Sequence, residues 1–427
     1  MHSGPSPEQR PAPLCPEAWS EAGQLCVAPP PHSATRRYRE WSSTRLLEAL
    51  ELCAQQQLPP SPGLARSLLE RPWSGDSREV LRQKADQLRA RLVGDTVSYV
   101  LNRNLNASNH CLLRCSFCAF RRDPGQPGAY RLSFAQLEAR AAEARALGAS
   151  ELCLQSALDP LAQIDGSQLR HAVTLLERLR AAAPGLHLHA FSPQELLFIA
   201  QQDHLPLETV LETLQAAGLG SVPGTAAEVL SDRVRRRLCP EKLSTRAWLT
   251  VMRQVHRRGL SSTATLMAGH LEGAADLAAH LLNLVALQRC AWQHRQSGFS
   301  EFVLLPFVGA LAPAPLRRQV GRDQPDADAM LTLTAQARLL LGHWFVHHQP
   351  SWVKLTLPVA AEALRWGCDD LGGTLMEEHI TTMAGAQGGT CQSEQALRAA
   401  ALGQGRPVRQ RTTLYGSISE ANAAMLR

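Results

Sequence analysis

The chain has 427 residues, of which 44% are hydrophobic and 19% are charged. This composition is ordinary for a globular protein with a sizeable core, and it excludes a largely disordered chain. The formal net charge of +6 is modest, and the basic residues are dispersed apart from a run over residues 233–237, which argues against nucleic-acid binding. No apolar run is long enough to span a bilayer, and no secretion signal is evident. We therefore expect a cytoplasmic protein without a membrane partner, whose eleven cysteines are reduced.

The first part of the chain divides into two segments. Residues 1–40 contain the proline-dense stretches "GPSPEQRPAPLCPE" and "APPPHSATRR", which predict a disordered leader. Residues 41–94 contain "STRLLEALELCA" and "SREVLRQKADQLRARLVGD", in which apolar residues recur at helical spacing. We predict an N-terminal helical segment there.

From residue 95 onwards, short strand-like runs alternate with amphipathic helical runs. Helices are predicted at "SFAQLEARAAEARALG", "SQLRHAVTLLERLRAAAPG", "PLETVLETLQAAG" and "STRAWLTVMRQVHRRG". Eight strands are predicted, at "SYVLNRNLN", "ELCLQ", "LHLHAF", "LGSV", "STATLM", "FVLLPF", "WVKLTL" and "CDDLGG". Eight such units predict an α/β fold, a (β/α)8 TIM-type barrel over residues 95–376, with an open doubly wound sheet as the alternative. Residues 377–427 are predicted to form a C-terminal extension that packs near the barrel mouth.

A cluster of three thiols follows the first predicted strand. Cys111, Cys115 and Cys118 have the spacing C-x3-C-x2-C, and thiolates are ligands of iron–sulfur clusters and zinc. A structural zinc site would need a fourth ligand near a second pair, and no such pair lies at the usual spacing downstream. Three ligands on a four-iron cluster leave one iron open for a small molecule, so we favour a 4Fe-4S cluster over zinc held with a distant histidine. The ring of Phe117 could cover a planar ligand there, or pack on the barrel rim.

Polar residues at the ends of later strands are candidate ligand contacts. By alternation, Thr263 and Thr265 share one face of the fifth strand, and His270 follows it. The two hydroxyls could point into the barrel mouth, or they could bond to backbone as packing residues. The acidic pairs in "DDLGGTLMEEHI" could bind a polar ligand or transfer a proton, with solvated helix-start charge as the alternative for the second pair.

The cysteine stretch "CLLRCSFCAF" resembles the signature of the radical S-adenosylmethionine (SAM) superfamily, with its aromatic residue before the third cysteine. The segments around it are similar to the CofH family within that superfamily, over about residues 95–416. They are "NRNLNASNHCLLRCSFCAFRR", "HLHAFSPQEL", "GLGSVPGTAAEVL", "TATLMAGHLE", "FVLLPFVG", "PSWVKL", "DLGGTLMEEHI" and "RQRTTLYG". Radical SAM enzymes of menaquinone synthesis share the cysteine stretch.

The resemblance implies a transferase that acts in FO (deazaflavin) biosynthesis. In the CofH family a reduced 4Fe-4S cluster cleaves SAM, the resulting radical activates L-tyrosine, and the Cα–Cβ bond breaks. The 4-hydroxybenzyl fragment joins 5-amino-6-(D-ribitylamino)uracil, and 2-iminoacetate is released. Implied partners are a reductant such as ferredoxin or flavodoxin and a CofG-type enzyme that closes the ring.

The resemblance also implies roles for particular residues. Cys111, Cys115 and Cys118 would bind the cluster, and Phe117 would lie near the adenine of SAM. After the second strand the family reads Q-G-G-L, whereas this chain has "QSALDP"; its Gln155, Ser156 and Ala157 would therefore contact SAM without the usual glycine pair. From position alone, five residues are candidate substrate contacts: Glu228, Thr263, Thr265, His270 and Arg411. The catalytic residues stay unassigned.

Two other functions are consistent with the sequence. One is a menaquinone-pathway enzyme of the aminofutalosine type. The other is a non-catalytic relative that binds a cluster, which only the altered "QSALDP" suggests.

Overall fold

The computed structural model describes residues 10–418, and within them ten strands form two sheets. The strands are β1 (Val97–Val100), β2 (Asn102–Leu105), β3 (Glu151–Leu154), β4 (His187–Ala190), β5 (Ser221–Val222), β6 (Ser261–Ala268), β7 (Phe299–Pro306), β8 (His348–Pro350), β9 (Asp370–Gly373) and β10 (Val408–Gln410). The α-helices are α1 (Pro16–Leu25), α2 (Ser43–Gln55), α3 (Pro62–Glu70), α4 (Gly75–Val93), α5 (Phe134–Ala146), α6 (Gln168–Ala182), α7 (Pro193–Gln202), α8 (Leu207–Ala217), α9 (Asp232–Leu238), α10 (Thr245–Arg257), α11 (Ala274–Gln293), α12 (Ala314–Val320), α13 (Ala327–Leu341), α14 (Trp352–Leu355), α15 (Leu357–Ala363) and α16 (Glu394–Gly403). Short 3-10 helices cover His32–Tyr38, Gly342–Trp344, Leu364–Trp366 and Thr382–Ala384.

The larger sheet consists of β2 to β8 in chain order, and every neighbouring pair is parallel. Helices lie between successive strands, as parallel crossovers require. The sheet curls into a half-barrel, and most of its strand residues are buried. The predicted α/β barrel-type fold is confirmed.

The smaller sheet, with the order β10-β1-β9, lies across the gap between the two ends of the larger one. On one side, Asp369 N–H donates to His348 O at 3.1 Å, which joins β9 to β8. On the other side, Asn104 N–H donates to Leu375 O at 2.9 Å, which joins the end of β9 to β2. Through these bonds the strands of both sheets surround one interior, although the strand pairing of the two sheets is separate.

Two predicted strands differ from the structure. The run "SYVLNRNLN" forms two strands instead of one, because β1 pairs with β9 and β10 whereas β2 pairs with β3. The run "WVKLTL" is wrong as a strand: Trp352–Leu355 is a helical turn, and the strand is His348–Pro350 just before it. A short apolar run does not distinguish a strand from a buried helix, which explains this error.

The predicted disordered leader is corrected for residues 10–40, whereas residues 1–9 lie outside the described residues. Leu14 and Ala22 are fully buried, and the guanidinium of Arg246 lies 4.4 Å from the ring centroid of Trp19. Pro16 occupies the first position of α1, where its missing N–H has no cost. The prolines here begin helical turns rather than prevent them.

The chain after residue 376 is divided between the two ends of the barrel. Thr381 and Ala384 line the central cavity described below, and Leu311 N–H, in the loop after β7, donates to Ala384 O at 3.2 Å. In contrast, β10 pairs with β1, and Arg411 bonds to Asp370, the first residue of β9. The last described segment therefore packs at the amino-terminal ends of the strands rather than at the predicted mouth. Within residues 10–418, no helix combines the length and the apolarity that crossing a membrane requires.

A buried ion pair holds β9 beside β8. The fully buried Arg338 donates to Asp369 Oδ1 at 2.9 Å and to the carbonyl oxygens of Gly367 and Val346. Asp369 also accepts from the backbone N–H of His348 at 2.8 Å.

We predict that Arg338→Met strongly destabilises the protein, because it leaves the Asp369 carboxylate buried without its cation. The free energy of unfolding should fall by about 3–5 kcal/mol, measured by urea denaturation. The control is Arg317→Met, which removes an exposed pair with Asp323 and should change stability by about 1 kcal/mol or less. Equal effects of the two substitutions would contradict this role for Arg338.

Candidate functional site

The interior of the barrel contains a cavity of about 390 Å³. It is lined by the loop after β2, by strand residues that face inward, and by the segments after β8, β9 and β10. Eleven of the residues predicted from the sequence line it: Cys111, Cys115, Phe117, Cys118, Gln155, Ser156, Ala157, Glu228, Thr263, Thr265 and Arg411. The structure thus brings the predicted cluster ligands and almost all predicted ligand contacts to one cavity.

The three cysteines lie on a loop that follows β2 and is neither helical nor extended. Leu112 N–H donates to Leu158 O at 3.1 Å, which ties the loop to the segment after β3. Ser116 donates to Leu238 O through both its N–H, at 3.0 Å, and its hydroxyl, at 2.8 Å. The loop is therefore held from two sides, and its thiols face the cavity between them.

The chemistry of these thiols fits a multi-iron cluster. Burial raises the pKa of Cys115 to about 12, so that its thiolate needs a bound cation to persist at neutral pH. Within residues 10–418, no three His, Cys, Asp or Glu side chains are close enough together to hold a single metal ion. A 4Fe-4S cluster does not need such convergence, because each thiolate binds a different iron. The thiol arrangement favours the cluster over a single zinc ion.

The turn over residues 155–157 forms the cavity wall beside the cysteine loop. Ser156 N–H donates to Glu195 Oε1 at 3.0 Å, and the Ser156 hydroxyl accepts from Ala107 N–H at 2.9 Å. Ala157 N–H donates to Ser108 O at 3.1 Å. The serine hydroxyl is therefore engaged by the protein backbone.

A buried ion pair lies next to Phe117. Lys242 Nζ is 2.7 Å from Glu228 Oε1 and 5.2 Å from the centroid of the Phe117 ring. The pair holds the pKa of Glu228 below its usual value against the opposing effect of burial, which alone would raise it. Glu228 has a φ of +44°, a strained conformation that is common at functional sites.

The two predicted threonines bond to backbone. Gly224 N–H donates to Thr263 Oγ1 at 2.8 Å, and the Thr265 hydroxyl donates to Gly224 O at 2.8 Å. A Cβ at residue 224 would lie 1.9 Å from Thr263 O, so that only glycine allows this contact. Both threonines face the cavity, but their hydroxyls hold the β5 and β6 ends together.

His270 does not line the cavity. Its Nε2 is 3.0 Å from Met267 O, and its Nδ1 is 3.0 Å from a carboxylate oxygen of Glu272. The side chain is fully buried within this local cluster. The predicted substrate contact therefore lacks a direct path to the cavity.

Polar residues at the amino-terminal ends of the strands form the cavity floor. Glu151 Oε1 accepts from Asn102 Nδ2 at 2.8 Å, and His189 is paired with Ser221 Oγ at 2.7 Å. Burial lowers the pKa of His189 to about 4, so that the ring is neutral at pH 7. Among residues 10–418, Asn104 Oδ1 and Thr413 Oγ1 are buried without a hydrogen-bond partner, and both residues line the cavity. The floor thus offers polar atoms to a ligand.

Two carboxylates share one guanidinium at this floor. Arg411 bonds to Asp370 Oδ2 at 2.5 Å and to Glu301 Oε2 at 3.3 Å, and the Tyr415 hydroxyl donates to Glu301. Burial, together with the Asp370 charge, raises the pKa of Glu301 to about 7 despite the opposing effect of Arg411. Because its hydrogen bonds are used within the protein, the Arg411 guanidinium supports the floor.

Six charged residues of the cavity were not identified from the sequence, namely Arg121, Glu151, Glu195, Lys242, Glu301 and Lys354. For the two lysines, the composition of the chain offered a signal. Only three of the 44 basic residues are lysines, and two of those three line the cavity. Because lysine is so rare in this protein, each lysine was a candidate functional residue.

Comparisons with known proteins show which proteins this chain is similar to. The family model described as the Radical SAM superfamily matches residues 105–283. A 5-amino-6-(D-ribitylamino)uracil–L-tyrosine 4-hydroxyphenyl transferase of Gloeobacter violaceus is 56% identical over 345 residues, which cover 80% of this chain and 87% of that protein. The Synechocystis sp. protein of the same name is 52% identical over 372 residues, covering 87% of this chain and 94% of that protein.

Solved structures share the fold at low sequence identity. Methylornithine synthase (PylB) has a TM-score of 0.64 and 14% identity, covering 88% of this chain and 100% of that one. HydG, a maturase of the [FeFe]-hydrogenase, has a TM-score of 0.67 and 14% identity, covering 90% of this chain and 80% of that one. At this identity the likeness concerns the fold alone.

We predict that the free energy of unfolding falls with rising pH because of Glu301. With its pKa near 7 in the folded protein, Glu301 keeps a proton that the unfolded chain loses near pH 4.5. Folding stability should therefore decrease between about pH 5 and pH 7, by an amount on the order of 3 kcal/mol, and stay level above that range. Urea denaturation of wild type and Glu301→Gln across this range measures it, because the variant lacks this slope. The exposed Glu48→Gln is the control; a Glu301→Gln slope equal to that of wild type would contradict the assignment.

Proposed function

Since the chain belongs to the CofH family of radical SAM transferases, we propose that it breaks the Cα–Cβ bond of L-tyrosine and joins the 4-hydroxybenzyl fragment to 5-amino-6-(D-ribitylamino)uracil. The second product is 2-iminoacetate. The relatives at 51–56% identity carry the corresponding name, and the matched region covers most of each chain.

The cofactors would be held by the cysteine loop and the neighbouring turn. Cys111, Cys115 and Cys118 would bind the 4Fe-4S cluster, and Phe117 and residues 155–157 would contact SAM. When bound, these groups supply the one-electron cleavage that generates the radical. The protein residues orient the reactants and keep water out of the cavity.

The observation that carries the proposal is the shared cavity. Its thiols follow the carboxyl end of β2, whereas its polar floor includes Glu151 at the amino end of β3. Cofactor and substrates can therefore meet in one cavity, which places a reactive radical close to its target. The polar floor offers partners for the uracil or its ribityl chain, and Val303, Leu305 and Phe307 offer an apolar wall for the aromatic ring.

The proposal includes partners and a location. A low-potential reductant such as ferredoxin or flavodoxin would supply the electron, and a CofG-type enzyme would close the deazaflavin ring. We also propose a cytoplasmic location, where thiols stay reduced.

We predict that anaerobically reconstituted protein holds about four irons per chain. It should form the coupled product from tyrosine and the diaminouracil only when SAM and a reductant are both present, as measured by mass spectrometry. Cys115→Ser should lose the product and the bound cluster, because it removes a cluster ligand.

The matched control is Cys391→Ser, which changes an exposed cysteine and should keep iron and product at wild-type levels. Product from Cys115→Ser at the wild-type rate would contradict the ligand assignment. A product formed only with a menaquinone precursor would contradict the proposed substrates, and a cluster without SAM cleavage would indicate a non-catalytic relative.

A further inference from the structure

Lys354 is a charged residue of the cavity that has no assigned role. It lies on α14, directly after β8, and its partly exposed side chain lines the cavity. Within the described part of the chain, its ammonium group makes no salt bridge, and no hydrogen bond from Nζ is present. Burial lowers the pKa of this lysine, as expected for an ammonium group without a close counter-ion.

The backbone that carries Lys354 is firmly held. The Trp352 indole N–H donates to Gly373 O at 3.0 Å, and Gly388 N–H donates to Val353 O at 3.0 Å. A Cβ at residue 388 would lie 2.2 Å from Trp352 O, so that this approach needs glycine. Thr356 ends the turn with a φ of +71°, which is strained for a β-branched residue. A rigid turn of this kind suits a residue that positions a ligand.

Neither of the nearby carboxylates forms an ion pair with Lys354. The negative charges that act on Lys354 are Glu378 and Glu228. Glu228 forms its ion pair with Lys242 at 2.7 Å, and Glu378 accepts from the backbone N–H of Thr381 at 2.9 Å. Among residues 10–418 the ammonium group therefore has no ion-pair partner in direct contact, and an anionic ligand group would supply one.

The choice of lysine supports a ligand role. The third lysine of the chain is Lys84, which forms a surface pair with Glu51 at 3.0 Å, and all other basic residues are arginines. Arginine is larger and presents a planar fork, whereas lysine presents a compact point charge. In a chain that uses arginine almost everywhere, the cavity wall therefore departs from the usual choice and carries a compact cation.

Lys354 lies on a different segment from the proposed cofactor contacts. Those contacts follow β2 and β3, whereas Lys354 follows β8, and β9 lies between β8 and β2. A substrate group is therefore considered for Lys354, and the SAM carboxylate is the alternative that the test below distinguishes.

We propose that the Lys354 ammonium binds the α-carboxylate of the tyrosine substrate, which rests on the function proposed above. Of the two proposed substrates, only tyrosine carries a carboxylate. This contact would hold the end of the amino acid that leaves as 2-iminoacetate, and would so place the Cα–Cβ bond within the cavity. Lys354 would be a substrate-binding residue of the reaction.

The test compares the binding of tyrosine and tyramine, which lacks the carboxylate, to reconstituted protein with SAM under anaerobic, non-reducing conditions. Wild type should prefer tyrosine by about 10- to 100-fold, the range for a hydrogen bond between charged groups. Lys354→Met should bind both compounds with similar affinity, because only the tyrosine contact is lost. Lys84→Met is the matched control and should keep the full preference.

Iron content is measured on each variant to show that it is folded, and SAM affinity is measured to test the alternative ligand. If Lys354→Met does not fold, Lys354→Gln is read in the same way. A folded Lys354 variant that keeps the tyrosine preference overturns the proposal. A folded variant that loses SAM affinity also overturns it, because the lysine would then bind the SAM carboxylate. Failure of the proposed function looks different, since wild type itself would then form no product from tyrosine and the diaminouracil.

Discussion

The cavity depends on two neighbouring aspartates at the start of β9, each held by one arginine. Arg338 fixes Asp369 beside β8, and Arg411 fixes Asp370 beside β1. A buried ion pair repays its desolvation only when further hydrogen bonds satisfy both partners, and here they do. Asp369 also accepts from His348 N–H at 2.8 Å, and Asp370 accepts from the Ser98 hydroxyl at 2.5 Å. Because β9 bridges the two ends of the seven-stranded sheet, these pairs help to complete the ring of strands around the cavity.

The pair of Arg411 and Asp370 also connects the C-terminal segment to the cavity. Arg411 belongs to the segment after β10, and it brings Thr413 to the cavity floor and Tyr415 to Glu301. The floor is therefore built from parts of the chain that are more than 100 residues apart. A radical reaction needs a space from which water is excluded, and the floor closes the cavity on the side opposite the cysteine loop. By holding this floor, Arg411 would support the proposed reaction without contacting its substrates.

Features that depend on local sequence were predictable, and features that depend on distant contacts were not. The cysteine spacing is local, so the position of the three thiols on a loop after the first barrel strand was predictable, as were helices such as α5 and α10. The turn at Trp352–Leu355 was mistaken for a strand because its apolar residues fit either structure. His270 follows a strand as a site residue would, yet its bonds to Met267 and Glu272 turn it inward. The pKa of Glu301 is raised by its burial and by the charge of Asp370, and no pattern within β7 reveals either.

Ser156 and Ala157 stand where the family has a glycine pair, and their contacts show how the turn is supported. A glycine pair lets the backbone approach a ligand closely, and a side chain there would interfere only if it faced the cavity. The Ser156 hydroxyl is instead bound by Ala107 N–H at 2.9 Å, and the Ser156 N–H is bound by Glu195. Since Glu195 also accepts from Ser192 N–H at 2.8 Å, one buried carboxylate joins this turn to the start of α7. The serine thus adds a support between β2 and the turn, and the change is compatible with an intact cofactor wall.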